Sequence, residues 1–537
     1  MNEEIEEYYE ELYRLYIDEN QPLERRYRQL RESLERVVRE KIQGNSLQTT
    51  DLAARINYVA TQYGLDLKEQ NQLHTFRLTS NDILNHRKSP VKEEFLRDLR
   101  AVAYAYRKMF AQDIPLKLFS VLPKQEIASS GKKEKMEYIR RIRVCFDYAD
   151  DTYLYVHPVD VTADEPIRVV YNKPGINHEF EETIKELWRY AQLNLLDVSV
   201  DRDGIYTPSF IVLEPDYLID ISSLAECYKD YGSHPANYFL SRLVPIDNAR
   251  PLLLGNIANL FLDEWIHAGE EEPDYIDCMK KAFRQYPIEL AACAELRDPS
   301  KEKEFAKDCR MHFEHIRDVV QHTFLEPGYN LDKKEAVLEP SYICEALGIQ
   351  GRLDYMQRDM SSFIEMKSGK ADEFSMQGKV EPKENNKVQM LLYMAVLEYS
   401  MGQDRRRMHP YLLYTRYPLL YPARASWAQV RRVINLRNRI VAAEYGVQFH
   451  NHPDFTRNLL AQINPEVVNE RKLSGRFWEQ YLKPSISRFR EKLSALEPLE
   501  QAYFYTLYNF ITKELYTSKS GDVDYEGRAG ASALWLS

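Results

Sequence analysis

Two neighbouring stretches decide how this chain is read: GRLDYMQRDMSSFIEMKSGK at 351–370 and NNKVQMLLYMAVLEYSMG at 385–402. In the first, Gly351-Arg352-Leu353-Asp354 opens one β run and Phe363-Ile364-Glu365-Met366-Lys367 forms the next, joined by a polar turn around Arg358 to Ser362. Adjacent hairpin strands bring Asp354 and Glu365 together. Side chains at i and i+2 of a strand share a face, so Glu365 and Lys367 line one side while Ile364 and Met366 turn to the other. Two carboxylates and an ammonium then meet on one patch.

Such a patch meets the needs of metal-assisted phosphodiester hydrolysis. Asp354, Glu365 and the backbone carbonyl of Met366 are hard oxygen donors for one or two Mg²⁺ or Mn²⁺ ions, and Lys367 is placed to orient a water and offset developing negative charge. The plainer alternative is an exposed hairpin whose charges are merely solvated. The second stretch reads as helix. Val388, Leu391, Leu392, Ala395, Val396 and Tyr399 form an apolar stripe that packs on the sheet, and Gln389 and Tyr393, one turn apart, reach the rim of the patch.

In order, these residues spell G-x-x-D, E-x-K-[ST]-G and Q-x-x-x-Y, a combination that resembles the RecB-type PD-(D/E)XK nucleases. The resemblance implies an α/β chain, α+β overall, with a restriction-endonuclease-like core. In it Asp354 and Glu365 are metal ligands, Lys367 is catalytic, and Gln389 and Tyr393 lie on a DNA-facing helix. The likeness continues upstream through EPDYLIDISSLAEC (214–227), NYFLSRL (237–243) and LLLGNIANLFLDEW (252–265), which look like the opening of the nuclease domain in the Okazaki-flap nuclease-helicases of DNA replication. There a small β-barrel precedes the nuclease core and G-x-x-x-H opens the first catalytic helix. Here Gly255 is followed four residues later by Asn259, a poorer metal ligand than His. Asn259 falls with Gly255, Leu262 and Ile266 on a helix expected to be buried on two faces, so its amide needs partners, either a metal or its water, or the core itself.

Two further departures bear on cofactors. Many relatives hold an iron-sulfur cluster through one Cys before the core and three after it, but no Cys follows Cys344 and Cys227 stands alone upstream, so no cluster is expected. No G-x-x-x-x-G-K-[ST] occurs, so no P-loop ATP site is expected either. The segment AYFYTLYNFITKELYTS (502–518) and the apolar end GRAGASALWLS (527–537) are similar to the lead into a helicase part, and the chain reads as a nuclease portion of a longer nuclease-helicase.

Working outward, four regions are expected. Residues 1–112 are helical, with one helix near Thr50 to Gly64 and another, VKEEFLRDLRAVAYAYRKMF (91–110), begun by Pro90 in its first turn; Phe95, Leu99, Val102 and Tyr106 share a face of the latter. Residues 113–221 hold β-type runs such as YIRRIRVCFDY (138–148) and IRVVY (167–171) and read as a small, OB-like β-barrel with one helix from Glu179 to Leu196. Residues 222–425 carry the nuclease core, helical to about Phe324 with AGEEEPD (268–274) as a solvated loop. Residues 426–537 form a basic helical region.

At 44% apolar and with 19 Gly and 25 Pro, the 537 residues suffice for several packed cores and exclude collagen-like or largely disordered chains. No apolar run approaches the ~18 residues of a membrane span, and MNEEIEEYYEELY (1–13) is no secretory signal, so a soluble, cytoplasmic protein without a membrane partner is expected. Six Cys without a C-x-x-C pair point to reduced thiols. The net charge of -11 conceals an asymmetry, +7 over 401–537 and -18 over the rest. Arg405 to Arg407, Arg431, Arg432, Arg437 and Arg439 are therefore candidates for phosphate contact, with a solvated basic face as the alternative. Cys309, His312, His315 and His322 diverge too far around a helix for zinc, and the histidines read as helix-surface positions.

Two functions compete. The first is a Mg²⁺- or Mn²⁺-dependent nuclease acting on single-stranded or flap DNA. The second is a catalytically silent nuclease fold, marked by Asn259, that guides DNA or scaffolds a larger complex.

Overall fold

The computed structural model describes residues 2–18, 20–42, 52–84, 86, 88–123, 137–159, 166–244, 249–329, 331–374, 380–424, 426–450 and 452–520. The segment 527–537 lies outside them. Contacts divide the chain into two compact units, Met1–Met136 and Glu137–Ser537. The boundaries expected near 221 and 425 fall inside the second unit, where one apolar core runs on from Val144 through Val388 to Tyr505.

The first unit is helical: α1 (Asn2–Ile17), α2 (Leu23–Ile42), α3 (Leu52–Gln62), α4 (Leu67–Leu84), α5 (Lys92–Phe110) and α6 (Leu116–Phe119). In α5 the expected face of Phe95, Leu99, Val102 and Tyr106 is buried. Glu93 and Glu94 in its first turn and Arg107 and Lys108 in its last oppose the helix dipole. Pro90 stands outside the first turn, because Val91 is the extended N-cap whose carbonyl accepts the first helical bond from Phe95 N–H.

The second unit opens with strands β1 (Glu137–Ala149), β2 (Leu154–Pro158) and β3 (Ile167–Val169), the short helix α7 (Glu181–Lys185), then β4 (Gln192–Val200), β5 (Tyr206–Thr207) and β6 (Phe210–Leu213). Hydrogen bonding runs β1-β2-β3-β5-β4 and returns from β4 to β1, so these five strands close into a ring, with β6 added on β4. The helix expected over Glu179 to Leu196 is thus shortened to Glu181–Lys185, and the end of the expected span, from Gln192, belongs to β4. β4 is the most heavily paired strand of the ring, and its Asn194 is a buried tie that donates to the carbonyls of Glu345 and Ala346.

Next come β7 (Ile219–Asp220) and the helices α8 (Ile221–Ala225), α9 (Ala236–Leu243), α10 (Arg250–His267), α11 (Tyr275–Gln285), α12 (Pro287–Ala292) and α13 (Pro299–Gln321). The acidic stretch 268–274 is the loop between α10 and α11, as expected. Strands β8 (Ala336–Leu338), β9 (Ser341–Cys344), β10 (Ile349–Arg352), β11 (Tyr355–Gln357), β12 (Ser362–Lys367), β13 (Glu373–Phe374) and β14 (Val380–Glu381) precede α14 (Glu384–Met401), β15 (His409–Tyr414) and β16 (Leu419–Pro422). The chain then continues through α15 (Trp427–His450), α16 (Pro453–Ala461), α17 (Pro465–Val468), α18 (Lys483–Ser494) and α19 (Pro498–Ser520).

The principal sheet has the order β16-β15-β12-β11-β8. Its middle pair, β12 and β15, is parallel, so α14 is the crossover that a parallel connection requires. Strand β12 is buried on both faces: Ile364 and Met366 pack with Leu253, Ile257 and Phe313 of α10 and α13, while Phe363 joins the core shared with α14. Helix α14 departs from the single stripe expected of it. It is buried almost all round from Val388 to Leu397, including Met390 and Met394, and ends in the left-handed residue Gly402. Among the described residues no helix is long and apolar enough to cross a membrane. The six cysteines form no disulfide.

Candidate active site

Pairing of Tyr355 with Ile364 across β11 and β12 sets the register, and one step back along the same ladder Asp354 stands opposite Glu365. Asp354 Oδ2 accepts from Met366 N–H at 2.6 Å. The N–H and C=O of a strand residue point the same way, so the Met366 carbonyl turns to the same edge as Asp354. The sequence-derived donor set therefore gathers at one end of β12.

Glu365 is 4% exposed. Its Oε1 accepts from Lys367 Nζ at 2.8 Å and from Gln389 Nε2 at 2.6 Å, while Gln389 Oε1 accepts from Lys367 Nζ at 2.8 Å. Glu365, Lys367 and Gln389 thus form a closed triangle between strand and crossover helix. The other oxygen, Glu365 Oε2, is buried and has no donor among the described residues. Burial, followed by the Asp354 charge, pushes Glu365 up to about 8 against the pull of Lys367. Asp354 is raised too, by burial that outweighs the Met366 N–H and Lys367. Burial opposes the charge on Lys367, but Glu365 and Asp354 outweigh it and hold the amine above its usual range.

Tyr393 sits one turn beyond Gln389 and donates to the Arg352 carbonyl at 2.5 Å. This is where the glycine of G-x-x-D is needed: a Cβ at Gly351 would lie 3.0 Å from Ile221 Cδ1 and 3.1 Å from the Tyr393 hydroxyl. The missing side chain lets α14 approach the loop that carries Asp354.

Helix α10 also reaches the site. Gly255 lies against the residue after Lys367, since a Cβ there would be 3.3 Å from Ser368 Oγ. Asn259, expected to be buried, is only partly so, and its amide makes no hydrogen bond among the described residues. Two carboxylates that the motifs do not mark lie within electrostatic reach of Asp354. Asp263, one turn past Asn259, is raised to about 6 by burial, Glu339 and Asp354, with His267 opposing. Glu339 donates its N–H to the Asp354 carbonyl at 3.1 Å and pairs with Arg352 at 3.2 Å. It adopts a left-handed φ of 49°, a costly conformation for a residue with a Cβ and one that collects at functional sites. Spacing of Gly255, Asn259 and Asp263 along α10 was the available signal for Asp263; nothing in the sequence marked Glu339.

No protein-family model and no curated protein matches this chain.

The residues present suit a hard divalent cation. An orphaned buried carboxylate oxygen beside a second raised carboxylate lacks positive charge, which a cation would supply. Among the described residues no three His, Cys, Asp or Glu side chains converge to enclose a metal. An ion held by Asp354, Glu365 and the Met366 carbonyl would keep open positions for water and substrate, as Mg²⁺ commonly does.

The basic candidates separate. Arg437 is fully buried and donates to the carbonyls of Gly348, Leu213, Glu214 and Tyr217, so it is a structural clamp and not a phosphate contact. Arg431 pairs with buried Glu179 at 3.0 Å, and Arg405 lies 4.7 Å over the Trp427 ring. Arg439 is half-buried; Arg406, Arg407 and Arg432 are exposed. Cys309 and His312 are wholly buried, and burial drives His312 down to about 4, which corrects the reading of that histidine as a surface position.

Proposed function

We propose that this chain is a metal-dependent deoxyribonuclease of the RecB-like PD-(D/E)XK kind, hydrolysing phosphodiester bonds in single-stranded or flap DNA. The observation that carries the reading is the Glu365–Lys367–Gln389 triangle at the end of a buried central strand, with Asp354 opposed across the hairpin and Glu365 Oε2 left without a donor. A Mg²⁺ or Mn²⁺ ion held by Asp354, Glu365 and the Met366 carbonyl would act as a Lewis acid on the scissile phosphate and on water. Lys367 has three N–H donors and uses two, on Glu365 and Gln389, which leaves one to hold the attacking water. As an ammonium it positions that water and offsets charge building on the phosphate, a different task from removing the proton. Gln389 fixes the Lys367 amine, and Tyr393 fixes the backbone that leads into Asp354. Exposed Arg406, Arg407 and Arg432 are the candidates for the DNA backbone, and a helicase part in a longer protein accords with this reading.

Labelled single-stranded and flap oligonucleotides in Mg²⁺ or Mn²⁺ test the proposal. Cleavage by the wild type that Glu365→Ala abolishes is the expected result. Cleavage unchanged by Glu365→Ala overturns it, and a chain that neither cleaves DNA nor shows Mn²⁺ binding that Asp354→Ala abolishes favours the silent DNA-guiding module.

A further inference from the structure

Arg352 stands two residues before Asp354, and the wholly buried Leu353 separates them. Glu339 and Pro340 are laced to this run by two backbone bonds: Glu339 N–H donates to the Asp354 carbonyl and Leu353 N–H to the Pro340 carbonyl, each at 3.1 Å. The Arg352 carbonyl is held in turn by the Tyr393 hydroxyl at 2.5 Å. The backbone around Arg352 is therefore fixed, while its side chain is exposed and meets the equally exposed Glu339 carboxylate at 3.2 Å. An ion pair this open to water contributes little to stability. The residue that supplies its carboxylate nonetheless keeps a left-handed φ of 49°, a strain of the kind that collects at working sites. A phosphodiester presents two anionic oxygens to the same guanidinium fork and suits it at least as well as a carboxylate does. Arg406 and Arg407 cannot serve this spot, because they precede His409, which pairs with Ser362 at the opposite end of β12 from Lys367. Arg352 lies at the end where Asp354 stands opposite Glu365.

We infer that Arg352 grips the substrate phosphate beside the scissile bond, and that Glu339 occupies its guanidinium until DNA arrives. The inference rests on the nuclease reading above and adds a substrate contact at an unspecified position of G-x-x-D. The incoming phosphate takes the place of Glu339 on the fork, one anion for another, and the released carboxylate turns to water.

Fluorescence anisotropy of a labelled single-stranded oligonucleotide with the full chain, in metal-free buffer, reads this apart from cleavage. Arg352→Ala is expected to weaken binding about tenfold and to lower the slope of log affinity against log salt by about 0.7, the share of one phosphate contact. Arg352→Lys keeps the slope and recovers part of the affinity, since it retains the charge without the fork. Glu339→Gln moves the other way and tightens binding about threefold, because the competing anion is gone; in steady-state cleavage it lowers KM and leaves kcat alone. All three variants should keep the far-ultraviolet circular dichroism spectrum of the wild type. Weaker binding in both Arg352→Ala and Glu339→Gln marks the pair as a structural brace and overturns the inference, as does wild-type affinity in Arg352→Ala, and either result spares the nuclease reading. A wild type that binds no single-stranded DNA overturns both.

Discussion

Gln389 donates from Nε2 to Glu365 Oε1 at 2.6 Å, which ties the crossover helix to the central strand at the point where the chemistry would occur. Because the same amide accepts from Lys367 through its oxygen, it sets the distance between acid and amine. Gln389→Leu keeps the volume and removes both bonds. The expected outcome is a fall in kcat of about 10- to 100-fold, the size of effect seen when a partner that orients a ligand is lost, with KM nearly unchanged. Steady-state cleavage of a short oligonucleotide measures it.

Glu365→Gln should separate activity from stability. In metal-free buffer above pH 8 the wild type buries a carboxylate beside Asp354, and the amide retains an acceptor for Lys367 while relieving that repulsion. Unfolding in urea is expected to shift upward by about 1–2 kcal/mol, in the range found when buried ionic groups are replaced, as cleavage disappears. A lower urea midpoint would show that Lys367 depends on the charge of Glu365.

Arg437 was grouped by sequence with the phosphate contacts, and the two roles give opposite results. Burial lowers its pKa to about 10, and its guanidinium is enclosed by backbone carbonyls. Gly348 has a φ of 64°, and a Cβ there would run into the guanidinium. Arg437→Ala orphans several buried acceptors and is expected to cost about 3–5 kcal/mol. Arg406→Ala, at an exposed site, should leave the melting temperature alone and flatten the salt dependence of DNA binding.

The helical unit has its own pH response through Asp98, 1% exposed, which accepts from Tyr27 at 3.2 Å and from Arg97 at 2.9 Å. Burial raises its pKa to about 6, with Arg97 and Tyr27 opposing. Below the unfolded value near 4 both states hold the proton and nothing is lost. Between there and pH 6 only the folded state holds it, so each pH unit of rise costs about 1.4 kcal/mol, and above pH 6 the loss is complete at about 3 kcal/mol. Hydrogen exchange of α5 peptides, corrected for intrinsic rate, should show more protection at pH 4.5 than at pH 7. Asp98→Asn should abolish the difference.

The site was legible to the extent that it is local. Asp354, Glu365, Lys367 and Gln389 lie in one hairpin and the helix after it, where strand alternation and helical spacing fix direction. Asp263 and Glu339 come from α10 and from the turn before β9, and no periodicity links either to the hairpin. Arg437 misled because it is a polar residue that satisfies backbone carbonyls of distant segments, and composition cannot distinguish such a residue from a solvated one. The all-round burial of α14 escaped because α8, from far upstream, and α15, from downstream, both pack on it beside the sheet.

The Arg437 clamp bears on the order in which this protein is made. Its four carbonyl partners belong to the segment leaving β6 and to the turn entering β10, all synthesised well before the guanidinium that latches them. While α15 is still within the ribosome, a nascent chain already carries every motif residue yet lacks the bolt that fixes the turn ahead of Asp354. A message cut short after β16 would therefore encode the whole signature of the site without the guanidinium that holds the turn ahead of it.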